Sequence, residues 1–198
     1  LEAWRSSAPP GTPSTEQRPL RMNGSVGRTS GFDAVALEVR DAYGVLSDAT
    51  LSVNGRAIPF DEMKGRFSQT TMGVLTNLTT VEATAPGHTS ASLMVAVPDG
   101  LQLLSPSFGA TQPRAQPLQV RWTTPSHAGP FVVHLYDEAF TELYSARSDL
   151  ELHSIPSSAL QAGLLTVTVS RDGMAATDAA GSFVLGYQNV SMNVRVLP

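Results

Sequence analysis

Between residues 20 and 97, short runs of alternating apolar and polar positions recur roughly every 8–12 residues, separated by turn residues, which is the spacing of a sandwich or barrel. In the run AVALEVR, Val35, Leu37 and Val39 share one face and Ala36, Glu38 and Arg40 the other. In ATLSVNG, Leu51 and Val53 point one way and the run ends at Asn54-Gly55, a hairpin signal because both residues tolerate φ > 0. The next run, RAIPF, carries Pro59, which cannot donate to a ladder and places the strand at an edge or bulge. RFSQTTM, LTTVEATA and SASLMVAV complete this half, with Pro86-Gly87-His88 turning the chain between the last two. No stretch holds a 3.6-residue apolar period, so no long helix is expected.

A second series of strands starts after Pro98-Asp99-Gly100. In PLQVRWT, Leu118, Val120 and Trp122 alternate with Gln119, Arg121 and Thr123. PFVVHLYD, FTELYSA and LELHSIP follow, then LLTVTVS, in which Leu165, Val167 and Val169 face inward. Asp172-Gly173 turns the chain toward a long last run, SFVLGYQNVSMNVRV, where Val190, Met192, Val194 and Val196 alternate with polar residues. The one helical candidate is a short piece around Ser157 to Gln161. The expected fold is all-β, two tandem antiparallel β-sandwich domains. Residues 1–19 are assigned to a Pro/Ser/Thr-rich tether or arm, 20–98 to the first sandwich and 99–198 to the second.

The arm cannot bury enough apolar surface to offset its ordering entropy. It reads as a leader, as the spacer behind a lipid anchor, or as an arm docked on a neighbouring subunit. Trp4 has no core of its own within it and is the candidate partner-binding residue.

Composition narrows the functional classes. Apolar residues make up 41% and charged residues 15% of the 198, the latter well under the roughly 25% of an average soluble chain. The surface is therefore finished with Ser, Thr, Gln and Asn, as in many exported β proteins. Net charge is −4 without a basic block, which argues against nucleic acid as a partner. Lys64 is the only lysine, and the Arg-, Ala- and Gly-heavy usage goes with a bacterial source. No cysteine is present, so disulfides, thiolate metal sites and cysteine nucleophiles are ruled out. No run approaches the ~20 apolar residues of a membrane span, and Leu1-Glu2-Ala3-Trp4-Arg5 is no signal peptide.

The second half resembles fibronectin type III and related immunoglobulin-like modules over residues 101–197. The resemblance is carried by Ser105-Pro106, LQVRW with Trp122 on an early strand, VVHLYD, and IPSSALQAGLLTVTVS, where Leu164 or Leu165 replaces the usual Tyr. The first half resembles bacterial immunoglobulin-like repeats through VRDAYGVLSDATLSVNG and the TAPGHTSA turn. The resemblance implies spacers, adhesins, carbohydrate-recognition accessories or assembly subunits, without naming a site.

Candidate chemistry is sparse. His88, His127, His134 and His153 form no HxH, HxxxH or HExxH pattern, so no metal is expected. His88 and His127 lie in Gly-flanked turns and are expected to be solvated. No GxSxG, GxGxxG or GxxxxGK motif is present, and no catalytic residue and no cofactor are assigned. Asp61-Glu62 and Asp137-Glu138 close strands where loop carboxylates meet calcium in other proteins, but without ligand spacing they read as solvated charges. Trp122, Tyr136, Tyr144 and Tyr187 are candidates for a sugar-stacking platform, with Trp122 better explained as core. Asn23, Asn77 and Asn189 match N-x-S/T, which a bacterial source leaves unglycosylated.

The expectation is a non-catalytic module, extracellular, at the cell surface or periplasmic, that spaces, adheres or assembles with other proteins. Its means of association are sheet edges or the N-terminal arm. A carbohydrate-binding accessory, with glycan as partner, and a structural subunit of a phage or extracellular filament are the alternatives.

Overall fold

The structure is a computed structural model that describes residues 17–125 and 130–198. Its elements are strands: β1 (Arg18–Pro19), β2 (Arg21–Thr29), β3 (Phe32–Arg40), β4 (Thr50–Val53), β5 (Arg56–Ile58), β6 (Phe60–Asp61), β7 (Arg66–Thr71), β8 (Leu78–Thr84), β9 (His88–Thr89) and β10 (Ala91–Ala96) in the first half. The second half adds β11 (Gln102–Ser105), β12 (Ala110–Pro113), β13 (Leu118–Thr123), β14 (Phe131–Tyr136), β15 (Glu142–Ser148), β16 (Leu152–Ile155), β17 (Gly163–Asp172), β18 (Ala176–Thr177) and β19 (Phe183–Leu197). A single 3-10 turn, Ser157–Ala159, stands where the short helical piece was expected.

Alternation along the chain becomes burial. Val35, Leu37 and Val39 of β3 are buried while Ala36 and Glu38 are half-exposed, and β10 and β13 repeat this every second residue. Asn54 and Gly55 form the two-residue loop between β4 and β5 with φ of 48° and 76°. The Asn54 side chain also donates to the Val74 carbonyl at 2.7 Å and accepts the Thr80 N–H at 2.8 Å. Pro59 splits its run, leaving β5 at the edge of one sheet and β6 at the edge of another.

Two sandwiches result. Four strands in the order β10-β8-β4-β5 form one sheet of the first lobe, and β11-β13-β16 one sheet of the second. Both pack against a single ten-stranded sheet whose main path is β15-β14-β17-β19-β2-β3-β7-β6, with β12 and β18 also paired to β19. One core gathers Leu20, Met22, Leu37, Leu51, Phe67, Val81 and neighbours, and the other Trp122, Phe131, Leu135, Ile155, Val167 and neighbours. Most pairings are antiparallel. Among the described residues three are parallel: β1 with β9, β12 with β19, and β2 with β19.

The last strand is common to both lobes. β19 is 15 residues long, which at the usual strand rise is about 50 Å. Residues 183–188 pair with residues 23–28 of β2 and residues 187–196 with residues 163–172 of β17, so that Tyr187 and Gln188 are paired on both sides. Val184 is buried in the first core, and Val194 and Val196 in the second. Because β2 runs parallel to β19, residue 21 stands beyond the start of β19 in the first lobe and residue 197 lies at the far end of the second.

Candidate functional site

The residues that hold the lobes together converge on the middle of β19. Gly186 faces the first-lobe interior, and a Cβ there would fall on the carbonyl oxygen of Ala96 at the end of β10. Only glycine allows that approach. Gly173 is crowded by the same carbonyl, and its N–H donates to the Gly186 carbonyl at 2.7 Å. On the opposite face the Tyr187 ring occupies the space a side chain on Gly27 would need. Burial there pushes the Tyr187 phenol up.

Two polar side chains tie down the connection between lobes. Gln188 of β19 is buried, and its Oε1 accepts the Leu101 N–H at 3.0 Å. Arg28 of β2, opposite Gln188 in the register, ion-pairs with Asp99 at 2.9 Å. The same guanidinium donates to the Leu75 carbonyl at 2.8 Å and to Asn77 Oδ1 at 3.2 Å. The Val97 N–H donates to the Asn77 carbonyl at 3.0 Å, so residues 97–101 are held from both sides. Asp33, also buried, accepts the N–H groups of Val74 and Leu75 at 2.7 and 2.9 Å and shapes the loop that Arg28 reads. Across the lobes, the Ser191 N–H donates to Ser30 Oγ at 3.0 Å.

A second polar cluster sits where the chain enters the first lobe. His88 Nδ1–H donates to the Pro86 carbonyl at 2.8 Å, and Nε2 lies 3.3 Å from Asp41 Oδ2. The side chains are only 11% and 5% exposed, which corrects the expectation of a solvated His88. The loop from residue 41 to 44 closes over the turn that carries the histidine. Hydrogen bonds from the Tyr43 N–H, then from His88 and the Gly44 N–H, hold the Asp41 carboxyl below the usual carboxylate range against the opposing effect of burial. Arg18 lies 3.9 Å from Asp41 and stacks on the Tyr43 ring at 4.8 Å, while β1 pairs with β9.

The other sequence candidates are dispersed. Trp122 is 2% exposed and meets Phe131 edge-on at 5.4 Å in the second core. Tyr144 packs inward with its OH 2.8 Å from His153 Nε2, and burial lowers the His153 pKa. Tyr136 lies on the outer face stacked on His134, which pairs with Glu142 at 2.8 Å. With Tyr187 over Gly27, these four aromatics do not form one platform. Asp61 pairs with Lys64 at 3.0 Å, Asp137 accepts the N–H groups of Ala139 and Thr141, and Glu138 accepts the Leu164 N–H. Among the described residues no group of three or more His, Asp or Glu side chains is placed to hold a metal ion. Trp4 and His127 lie outside the described residues.

Gln188, Arg28 and Gly186 were not singled out by the pattern of the chain. The available signal was a glycine inside a strand-like run, SFVLGYQNV, which marks a close backbone approach.

No family model matches the chain, and no curated protein matches it. Among solved structures it is similar to the fibronectin(III)-like modules of CbhA from Clostridium thermocellum, at 12% identity and a TM-score of 0.29, covering 89% of this chain and 94% of that one. It is similar to the two immunoglobulin domains of DIP-gamma at 9% identity and a TM-score of 0.26, covering 89% of this chain and 98% of that one. It is also similar to the insect immune protein hemolin at 14% identity and a TM-score of 0.26, covering 98% of this chain and 49% of that one. At such identities and scores the likenesses carry no argument about activity, partner or location. No helix among the described residues is long and apolar enough to cross a membrane.

Proposed function

We propose that the chain is a non-catalytic spacer and assembly module, exported or surface-exposed, that holds what is attached at its two poles at a fixed distance and orientation. One observation carries this reading: a single 15-residue strand belongs to both sandwiches, so the lobes share a sheet as well as a connecting segment. Rotation of one lobe against the other would break the pairing of β19 with β2 or with β17. It would also break the Arg28–Asp99 and Gln188–Leu101 links, whereas ordinary tandem modules move about a linker.

The non-catalytic part is supported by the turn and strand contacts in which Asp33, Asp41, Asp61, Asp137, His88, His134 and His153 are engaged. Assembly is supported by the sheet edges at β15 and β6, which pair with no further strand among the described residues and where an extended partner segment would add through backbone hydrogen bonds. The division into residues 20–98 and 99–198 is kept as a sequence division, with residues 183–188 serving the first core.

Small-angle scattering tests the reading. One rigid particle is expected, with a profile unchanged by a short Gly/Ser insertion between Asp99 and Gly100. A profile that needs an ensemble of inter-lobe angles would overturn the spacer, and binding on a glycan array by the monomer would favour a carbohydrate accessory instead.

A further inference from the structure

We infer that the chain carries tension from pole to pole along a path that bypasses its own inter-lobe connection; this rests on the spacer reading above. β2 and β19 are parallel, with Asn23 through Arg28 paired to Phe183 through Gln188. Drawing residues 17 and 198 apart first draws β1 from its two-residue pairing with β9 of the same lobe, then pulls β2 by its N-terminal end and β19 by its C-terminal end. The two strands are then loaded along their axes in opposite directions, and all their register pairs resist together. A strand drawn off sideways surrenders its hydrogen bonds one after another.

Beyond Gln188 the load stays in the covalent backbone of β19 as far as Leu197. Residues 30–182 hang beside this path. They include the connection at residues 97–101 and nearly all of the second lobe.

Both ends of the loaded pair are pinned. At the outer end the Met22 N–H donates to Ser182 Oγ at 3.0 Å, a buried bond that joins the start of β2 to the residue preceding β19. At the junction end the Ser191 N–H donates to Ser30 Oγ at 3.0 Å. Leu20 and Met22, 1% and 0% exposed, anchor the beginning of β2 in the first core, and sliding β2 would drag both out of it. In the second lobe β12 lies parallel to the last residues of β19, from Val194 to Leu197.

The order of failure follows. The second lobe is shielded until β2 has slid free. The first lobe therefore yields first whatever the intrinsic stabilities of the two, and the second follows. Two lobes strung on a loaded linker would instead yield with the weaker one first.

Because the chain has no cysteine, handles can be placed at will for single-molecule force spectroscopy. With Gln17→Cys and Pro198→Cys, two steps are expected in fixed order, first lobe then second, each releasing roughly 300 Å of contour. With Phe32→Cys and Pro198→Cys the load enters at the tip of the β2–β3 hairpin and peels β2 from the Arg28–Gln188 end. The first rupture force should then fall several-fold. A short Gly/Ser insertion between Asp99 and Gly100 should change neither the folded extension under load nor the first rupture force.

Equal forces for the two attachments, the second lobe opening first, or an extension that grows with the insertion would each overturn the load path. Equal forces together with a rigid scattering profile would sink the load path alone and leave the spacer standing.

Discussion

Replacing Trp122 by alanine removes the largest side chain of the second core, and the structure sets the size of the loss. The ring is 2% exposed, so nearly all of the roughly 150–250 Å² that a buried aromatic covers returns to water or to a cavity, worth about 4–6 kcal/mol. The edge-on contact with Phe131 at 5.4 Å contributes about 1 kcal/mol more. Against this stands Trp122 Nε1–H, buried with no hydrogen-bond partner among the described residues, whose removal returns about 1–3 kcal/mol. The net expectation is a destabilisation of about 3–5 kcal/mol, in the ordinary range for such truncations. Trp122→Phe keeps much of the ring contact and removes the orphaned donor, so it should cost under about 1.5 kcal/mol. Urea unfolding followed by far-ultraviolet circular dichroism measures both through the midpoint and slope. A cost for Trp122→Ala below about 1 kcal/mol would refute the core assignment. A Trp122→Phe cost equal to that of alanine would show that the indole N–H is satisfied.

Gly186→Val drives a branched side chain into the Ala96 carbonyl and should cost about 1–3 kcal/mol in the same urea assay; an unchanged midpoint would mean that β10 yields freely. Gln188→Leu leaves the Leu101 N–H buried without its acceptor, at about 1–3 kcal/mol, and hydrogen exchange at Leu101 should quicken, whereas unchanged exchange would remove Gln188 from the junction. Phe140, 78% exposed, holds φ of 59° at the tip of the β14–β15 hairpin, so Phe140→Gly should be neutral or stabilising by up to about 1 kcal/mol, and a clear loss would reveal a packed ring. Burial lowers the His153 pKa from its ordinary 6.5, so the unfolded chain binds the proton more readily. The stability this neutral imidazole contributes is present above pH 6.5 and is lost as pH falls from there through the folded value. His153→Phe should flatten that acid-side slope of the urea midpoint, and an unaltered slope would place its origin elsewhere.

What could be read along the chain is what local chemistry decides. Alternation in AVALEVR and LLTVTVS sorted inward from outward residues because strand period is two and each lobe has one interior. Asn54-Gly55 announced its hairpin through the φ values its loop requires, and Pro59 announced an edge or bulge by lacking an N–H, though not that its run divides between two sheets. Trp122 was legible as core for the same reason that Val120 and Leu118 were. The pairing of β2 with β19 was not legible, since its partners lie about 160 residues apart and parallel neighbours leave no turn between them. His88 was misjudged because the Pro86-Gly87 turn speaks only for the local backbone. The burial comes from Asp41, 47 positions away, whose loop folds over the ring. Arg28, Asp99 and Gln188 carry no motif at all, because their role is set by where two lobes meet. The length of the final run was the overlooked clue: 15 residues exceed what one small sandwich uses for a strand, typically about 5–6 residues.

A strand that belongs to two cores also couples their stabilities. Unfolding the second lobe alone would release β17 from β19 and expose Val194 and Val196, yet residues 183–188 would have to stay ordered against β2 with β18 still beside residues 183–184 but with no β17 beside residues 187–188. Unfolding the first lobe alone would strip Val184 from its core and leave the N-terminal part of β19 projecting as an unpaired edge. Each half-folded form thus pays an interface cost in addition to its own lost core. Two sandwiches joined only by residues 97–101 would carry no such penalty and would unfold in two steps unless their stabilities happened to match. The shared strand favours one transition, with an m-value appropriate to the surface of both lobes together. The same coupling bears on the sequence division, since a piece ending at Val97 keeps β2 and β3 but loses the strand that closes the sheet beside β2. That piece should show the N–H groups of β2 that face β19 unprotected in hydrogen exchange while those facing β3 stay protected, and a fully protected β2 would mean that the first sandwich closes without β19.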